Sequence, residues 1–342
     1  MLSGSPAEFV GGAWVNDLMR RVALIYNPAS GQRPGRRAKQ IADVKAVFEG
    51  AGVAVTVIAT DAPDSAGRLA QQAIRDGCDT ILACGGDGTV HEALQGMVGS
   101  AAAGDNAAAL GVIPMGTANA LATDLGLPAS SRKAAQMLLT ATPERISVGR
   151  VFFTGTDGET RSRYFVVAAG IGVDGLFFSR LDSRLKQRFG YLAYLIEALK
   201  LAYSHTFPLF SASFIETAGG VARAEKVSQV LAVRISNFGG LVHRLVPGAA
   251  LGNGHLDVIA FKTSSRWRYV RFMVAVWFRR HVYSRTIELV ECSAMECSEL
   301  YGSGVRTFVE ADGELLGTLP VRIEVVPQAL TLLIPQKTRR SA

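Results

Sequence analysis

Asp79-Thr80-Ile81-Leu82-Ala83-Cys84-Gly85-Gly86-Asp87-Gly88-Thr89-Val90-His91-Glu92-Ala93-Leu94 sets the reading of the whole chain. Thr80 to Ala83 is a short apolar run, the pattern of a buried strand. Three glycines follow within four residues, with Asp87 among them. Val90, Ala93, Leu94 and Met97 then recur on one side of a helix. Strand, glycine turn and helix together suit a bound phosphate. Glycines let the backbone come close and take positive φ, so amide N–H groups can converge on an anion, and the helix N-terminus adds partial positive charge. Asp87 repels phosphate and makes sense as a group acting through Mg²⁺ or water. The plain alternative is a tight turn that needs glycine; Gly-Gly-Asp-Gly-Thr between strand and helix favours phosphate.

Working outward, the same unit repeats. A strand over 21–26 ends in Asn27-Pro28-Ala29-Ser30-Gly31, a small-residue turn without the Gly-Lys-Ser/Thr ending of a P-loop. Arg33, Arg36, Arg37 and Lys39 follow, most simply as the solvated face of a helix whose apolar side is Ile41, Val44, Val47 and Phe48, with a phosphate clamp as the lesser alternative for any one of them. Gly50 and Gly52 stop that helix. Residues 53–59 read as a strand ending at Thr60, and the next helix runs to about Asp76. A strand over 108–114 ends in Met115-Gly116-Thr117-Ala118-Asn119, and a helix starts at Ala120. The order predicts a parallel sheet covered by helices, an α/β domain. Its small-residue turns share the C-terminal strand edge, where open α/β sheets bind ligands.

After residue 147 the rhythm changes. Strand-like runs at 147–153, 163–169, 210–215, 227–235, 256–262, 286–290, 305–310 and 321–326 predict an antiparallel β domain, interrupted by helical insertions at 176–204 and 266–280. A last strand over 330–334 fits either domain. The expected organisation is an extension at 1–20, an α/β domain over 21–147 rejoined by about 328–336, and a β domain over 148–327.

The 342 residues are 49% hydrophobic, ample for a core, and carry a formal net charge of +7, which favours anionic partners. No recognised nucleic-acid motif appears, so no nucleic acid is expected. Cys78, Cys84, Cys292 and Cys297 have no pairing pattern, which favours structural thiols in a reduced cytoplasmic setting. No apolar run approaches the roughly 20 residues of a membrane span, and the first 17 residues do not read as a signal peptide.

Other motifs each have a dull alternative. Gly170-Ile171-Gly172-Val173-Asp174-Gly175 matches GxGxxG but sits among antiparallel strands, so it reads as a turn. Glu310, Asp312 and Glu314 crowd one turn; they could hold a proton or a metal, but an Asp-Gly hairpin explains them more simply. In the loop from Pro247 to Asp257, Asn253, Asp257 and loop carbonyls could ligate Mg²⁺; an Asn-Gly turn explains Asn253 equally well. The five histidines lack zinc spacing. The segment from Arg266 to Arg280 mixes cations with aromatics, and Lys186, Arg188, Tyr191 and Tyr194 do so more weakly. Such segments suit an anionic membrane surface or a helix packed on the β domain, and the two are compatible.

The set of motifs resembles the diacylglycerol kinase catalytic-domain family, which includes bacterial lipid kinases and sphingosine and ceramide kinases. The resemblance spans residues 21–335 and rests on Asn27 to Gly31, Gly85 to Thr89, Pro114 to Asn119, Arg188-Phe189-Gly190-Tyr191 and Asp312-Gly313-Glu314. It implies an NAD kinase/diacylglycerol kinase-like two-domain fold, an α/β nucleotide domain and an antiparallel β-sandwich domain with a cleft between them. It implies ATP and Mg as cofactors, with ATP contacts at Asn27, Pro28, Ala29, Ser30, Gly31, Thr60, Gly85, Gly86, Asp87, Gly88, Thr89, Val90, His91, Gly116, Thr117 and Asn119. Asp312, with Glu314 beside it, is the implied base, and Asp87 completes the catalytic set. A structural Mg²⁺ would sit on Asn253 and the backbone oxygens of Ala250 and His255. Two positions depart from the family: Ala120 stands where Asp is frequent, and Asn253 where the Mg²⁺ loop usually has Asp. The expected partners are a lipid substrate and, from the segments that mix cations with aromatics, an anionic membrane surface at the inner face; a homodimer is left open. An NAD kinase-like enzyme and a non-catalytic nucleotide or lipid binder are the alternatives.

Overall fold

A computed structural model of the chain describes residues 9–10, 13–14, 19–28, 34–100, 108–155, 158–173, 207–215, 223–239, 245–278, 280, 283–300 and 306–336. The chain divides into two compact units, Met1–Ile146 with Ala329–Ala342, and Ser147–Gln328. The expected helical insertion at 176–204, and with it Lys186 and Arg188 to Tyr194, lies outside the described residues. Within the expected N-terminal extension, β1 (Phe9–Val10) and β2 (Ala13–Trp14) form a small hairpin.

In the first unit, β3 (Arg21–Tyr26), β4 (Ala54–Ala59), β5 (Thr80–Gly85) and β6 (Ala109–Pro114) are parallel in the order β4-β3-β5-β6. The end of the last strand, β18 (Val321–Ile334), runs parallel to β6 through Thr331 and Leu332. β5 and β6 are buried along their whole length, as strands covered on both faces must be. Helices α1 (Pro34–Glu49) and α5 (Ser131–Leu138) pack together against β4 and β6, and α2 (Ser65–Arg75) packs with α3 (Asp87–Ser100) against β3 and β5. The α2–α3 crossing is tight: a Cβ on Gly96 would lie 2.0 Å from the Gly67 carbonyl oxygen. Helix α5 escaped the sequence reading, although Ser130 caps it by accepting from the Lys133 N–H. The strand order reverses between β3 and β5, so their C-terminal ends mark the switch point of the sheet.

The second unit is a β-sandwich. One sheet has six antiparallel strands in the order β14-β13-β12-β9-β16-β17. These are β9 (Ala168–Ile171), β12 (Gln229–Val233), β13 (Leu256–Phe261), β14 (Ile287–Cys292), β16 (Phe308–Ala311) and β17 (Glu314–Thr318). The other joins β11 (Arg223–Val227), β10 (Phe210–Ile215) and β15 (Ala294–Glu299) to the first part of β18, with β7 (Thr142–Thr154) and β8 (Thr160–Phe165) alongside. Phe165, Phe210, Phe214, Met295 and Ile323 meet Ile171, Val230, Val258 and Val309 in one core. Helix α6 (Arg266–Trp277) covers the outer face of the six-stranded sheet, burying Tyr269, Phe272 and Val276 against Ile259, Phe261 and Ile287. Tyr269 stacks on Phe261 with centroids 4.6 Å apart. All four cysteines are buried thiols. No helix among the described residues is long and apolar enough to cross a membrane.

Two expected strands are each split. The run 163–169 breaks at Val166 and Val167, whose N–H groups go to the Asp312 carboxylate instead of a ladder. The run 227–235 breaks at Ser228, whose hydroxyl donates to Thr263 O at 2.6 Å and lies 2.7 Å from the Tyr269 hydroxyl. Conversely, 321–326 and 330–334 are one strand, with Gln328 at φ 47°.

Arg223 of β11 and Glu288 of β14 tie the two sheets at 3.1 Å, and Lys262 reaches Glu288 at 2.5 Å and Glu225 at 3.1 Å. The hydrogen bond from Lys262 holds both carboxyls below the ordinary glutamate range. A lowered folded-state pKa contributes stability above the unfolded value and loses it as pH falls through the folded value. Lys262→Met is therefore expected to flatten the fall of the urea midpoint between neutral pH and about pH 3, measured by circular dichroism.

Candidate active site

The parallel register sets the first cluster. Gly85 ends β5 directly opposite Pro114, the end of β6, and Met115 N–H donates to Gly85 O at 2.8 Å. The turns that follow lie against each other, backbone to backbone. A Cβ on Gly116 would sit 2.4 Å from the Gly86 Cα, and one on Gly86 would sit 3.2 Å from the Gly116 Cα. Gly85 is constrained separately, because its Cβ would fall 2.2 Å from Thr89 Oγ1.

Three side chains hold the 115–120 turn. Asn119, at φ 50°, accepts from Gly116 N–H and donates to Gly116 O, both at 2.9 Å. Asp87 Oδ1 accepts from the Ala120 N–H at 2.7 Å, at the start of α4 (Ala120–Asp124). Arg37 Nη2 donates to Met115 O at 3.0 Å. Arg37 is 5% exposed, which corrects its assignment to a solvated face; Arg36 and Lys39 are exposed as expected. Burial lowers the Arg37 pKa. Its signal was weak in sequence because one buried cation in a run of four looks like its neighbours.

Among the expected nucleotide contacts, Gly86, Asp87 and Gly88 are partly exposed at the N-terminus of α3, whereas Thr89, Val90 and His91 are buried. Those three side chains pack within the first unit. Gly116 and Thr117 are exposed. Asn27 and Pro28 follow β3, and Thr60, at the end of β4, donates its N–H to Tyr26 O at 2.9 Å. Ala29, Ser30 and Gly31 lie outside the described residues.

In the second unit, Asp312 and Gly313 form the two-residue turn of the β16–β17 hairpin, with φ of 50° and 85°. Positive φ at both positions is the geometry that Asp-Gly favours. The Asp312 carboxylate receives three backbone N–H groups: Val166 on Oδ2 at 3.0 Å, and Val167 and Ala168 on Oδ1 at 2.8 and 3.1 Å. Buried Glu310 accepts from the Gly313 N–H at 2.8 Å, and Glu314 is exposed. The three acids thus divide into a turn brace, an amide-held carboxylate and a solvent-facing carboxylate.

The expected structural metal ligands are arranged otherwise. The carbonyls of Asn253 and His255 accept from Arg234, and the Ala250 carbonyl accepts from the Asn253 N–H. Asn253 Nδ2 donates to Gly248 O at 3.1 Å and lies 3.4 Å from Asp257 Oδ2. The set Ala250, Asn253 and His255 therefore does not fit a metal, because the carbonyls of Asn253 and His255 already accept from a cationic side chain and that of Ala250 from a backbone N–H. Arg234 was overlooked, although an arginine closing the apolar run Val230 to Val233 must find partners. Close by, ligand atoms of His255, Asp257 and Glu291 lie within 4.8 Å of one another, and burial pushes the Asp257 carboxyl up.

Residues 21–151 match the diacylglycerol kinase catalytic domain, and residues 165–334 match the YegS C-terminal NAD kinase beta sandwich-like domain. The chain belongs to the diacylglycerol kinase catalytic-domain family. It is 26% identical over 320 residues to a diacylglycerol kinase of Bacillus subtilis (strain 168), covering 93% of this chain and 98% of that one. A diacylglycerol kinase of Mycobacterium tuberculosis (strain ATCC 25618 / H37Rv) is 29% identical over 317 residues, covering 92% and 96%. In fold, the chain is similar to the crystal structure of a diacylglycerol kinase from Bacillus anthracis str. Sterne, with a TM-score of 0.64 at 18% identity over 93% of this chain and 97% of that one. Yeast NADH kinase complexed with NADH is more distant, with a TM-score of 0.51 at 12% identity over 94% and 84%. The family supports a kinase.

The contact between the glycine turns gives a stability test. Gly116→Ala is expected to destabilise the chain by about 1–3 kcal/mol, read from urea unfolding. Gly35→Ala, with nothing within 4 Å of its Cβ, is expected to be neutral or mildly stabilising.

Proposed function

We propose that the protein is an ATP- and Mg²⁺-dependent lipid kinase that transfers the γ-phosphoryl group to a lipid hydroxyl of the diacylglycerol or sphingoid class. The observation that carries this reading is the alignment of relatives named diacylglycerol kinase over nine-tenths of both chains. The glycine turns support it, because their outer surface is backbone at a helix N-terminus, a surface suited to phosphate oxygens.

In this mechanism Asn27, Thr60, Gly86 to Gly88 and Gly116 to Asn119 cradle the nucleotide in the first unit. Mg²⁺, when bound with the nucleotide near Asp87, neutralises charge on the phosphates. Asp87 also keeps the 115–120 turn in place through Ala120, so its loss removes two functions. Asp312 or Glu314 accepts the proton of the lipid hydroxyl, the hydroxyl oxygen bonds to the γ-phosphorus, and the bond to the β-phosphate oxygen breaks to release ADP. Asp312 is held to one position by its three amides, and positioning of this kind supplies much of the catalysis in phosphoryl transfer.

The test is transfer of labelled γ-phosphate to lipids in a total extract, with products identified by mass spectrometry. Asp87→Ala and Asp312→Ala are each expected to lower transfer by about 100-fold or more. Full transfer in both variants would dismiss the site. Labelled NADP with no lipid product would give the NAD kinase-like reading. ATP or lipid binding without turnover would give the binding-protein reading.

We also propose that α6 rests on an anionic membrane surface at its solvent-facing side. Trp267 is 76% exposed and Phe278 67%, and Arg266, Arg268, Arg271 and Arg285 are exposed around them. Trp267, Arg268, Arg271 and Arg285 line a shallow cavity of about 440 Å³. Helix α6 contains no acid. Exposed aromatics with several arginines match the apolar and anionic layers of a lipid interface. Flotation with phosphatidylglycerol vesicles is expected to recover the protein at low salt, less at high salt, and less for Trp267→Ser/Phe278→Ser. Equal recovery of wild type and variant would remove this contact.

A further inference from the structure

Four backbone carbonyls of the second unit, those of Ser147, Leu251, Asn253 and His255, converge on one point, and a guanidinium occupies it. Arg234 Nη2 donates to Asn253 O at 2.8 Å and to Ser147 O and Leu251 O at 3.2 Å each, and Nη1 donates to His255 O. Arg234 is fully buried. We infer that the Arg234 side chain is a built-in cation that takes the place of a divalent metal at the centre of the 247–257 loop.

Convergent carbonyl dipoles aim partial negative charge at one place, an arrangement that costs energy unless positive charge fills it. Mg²⁺ draws its oxygens to about 2.0–2.1 Å and Ca²⁺ to about 2.3–2.6 Å. A guanidinium suits a wider, flatter set, because its five N–H donors spread in a plane and bond near 3 Å. The charges agree as well. A divalent ion with one aspartate leaves a single net positive charge, and an arginine with the neutral Asn253 leaves the same. Asn253 is meanwhile committed to Gly248 O and Asp257. Burial lowers the Arg234 pKa to about 10 and the Asp257 charge opposes that fall, so the guanidinium stays charged at neutral pH.

The position ties the cation to the candidate base. The Arg234 N–H donates to Val167 O at 2.9 Å, and the Val167 N–H is held by Asp312. An ordered 247–257 loop is thus fastened to the segment that supplies the amides around Asp312. Arg234 acts here as a positioning residue.

Thermal unfolding of the nucleotide-free full chain tests this. The wild-type midpoint is expected to shift by less than about 1 °C between EDTA and added Mg²⁺ or Ca²⁺. Arg234→Ala is expected to lower it by roughly 5–15 °C, with part of the loss recovered by methylguanidinium. Arg234→Ala/Asn253→Asp is expected to gain a rise with Mg²⁺ or Ca²⁺ that the wild type lacks. A wild-type midpoint that falls on chelation and returns with Mg²⁺ overturns the inference, as does an Arg234→Ala midpoint equal to wild type. Should Arg234→Ala fail to fold, Arg234→Lys, which keeps the charge but not the planar fork, enters the same assay, and the wild-type chelation arm decides by itself.

Discussion

The approach of two backbones, Gly86 to Gly116, is the constraint on which the first unit's site depends. It follows from the β5–β6 ladder, which places Gly85 opposite Pro114 and so brings the two turns out of the sheet side by side. No side chain fits between them. Everything around the contact then works at backbone level: Met115 N–H meets Gly85 O, Asn119 closes on Gly116, Asp87 takes the Ala120 N–H, and Arg37 takes the Met115 carbonyl. The outer surface left by this arrangement is peptide groups at a helix start. A phosphate chain is recognised by such groups, whereas larger side chains would hold it away.

The first unit was legible in the sequence because its signals are local. A strand, a turn of small residues and a helix follow within about 20 residues, so each can be read without knowing the rest. Expected and observed strands at 21–26 coincide, and those at 53–59 and 108–114 differ by one residue at the start. Legibility fails where the deciding partner is distant. Val166 and Val167 look like the middle of a strand, and only a carboxylate some 145 positions later takes their N–H groups out of the ladder. Ser228 interrupts 227–235 for the same kind of reason, with Thr263 and Tyr269 as the remote partners. Strand β15 was missed because half of its residues face outward with polar side chains, leaving no apolar run to see.

The acids at 310–314 show how far composition alone can go. Spacing announced a crowded turn and offered an Asp-Gly hairpin as the simple explanation, and the hairpin is there. What spacing could not give is the division of labour. Glu310 points inward to brace Gly313, Asp312 is fixed by three amides, and Glu314 faces solvent. Proton transfer demands a group held in one place, and exchange with solvent demands one that is open. This turn contains one of each, two residues apart.

The second unit handles its two charges in mirror-image ways. Asp312 is surrounded by backbone N–H groups and Arg234 by backbone carbonyls, and the two residues are linked by one peptide, Val167–Ala168: its Ala168 N–H donates to the acid and its Val167 oxygen accepts from the Arg234 backbone N–H. A peptide polarised at both ends strengthens each bond it makes, because donating increases the negative character of its oxygen and accepting increases the positive character of its N–H. The arrangement explains why an acid and a buried arginine, 78 positions apart, need not pair directly. Each is neutralised by dipoles that the sandwich already fixes. A carboxylate held by three amides is fixed in position by the backbone itself. A metal-held loop would instead make that position depend on the occupancy of an ion.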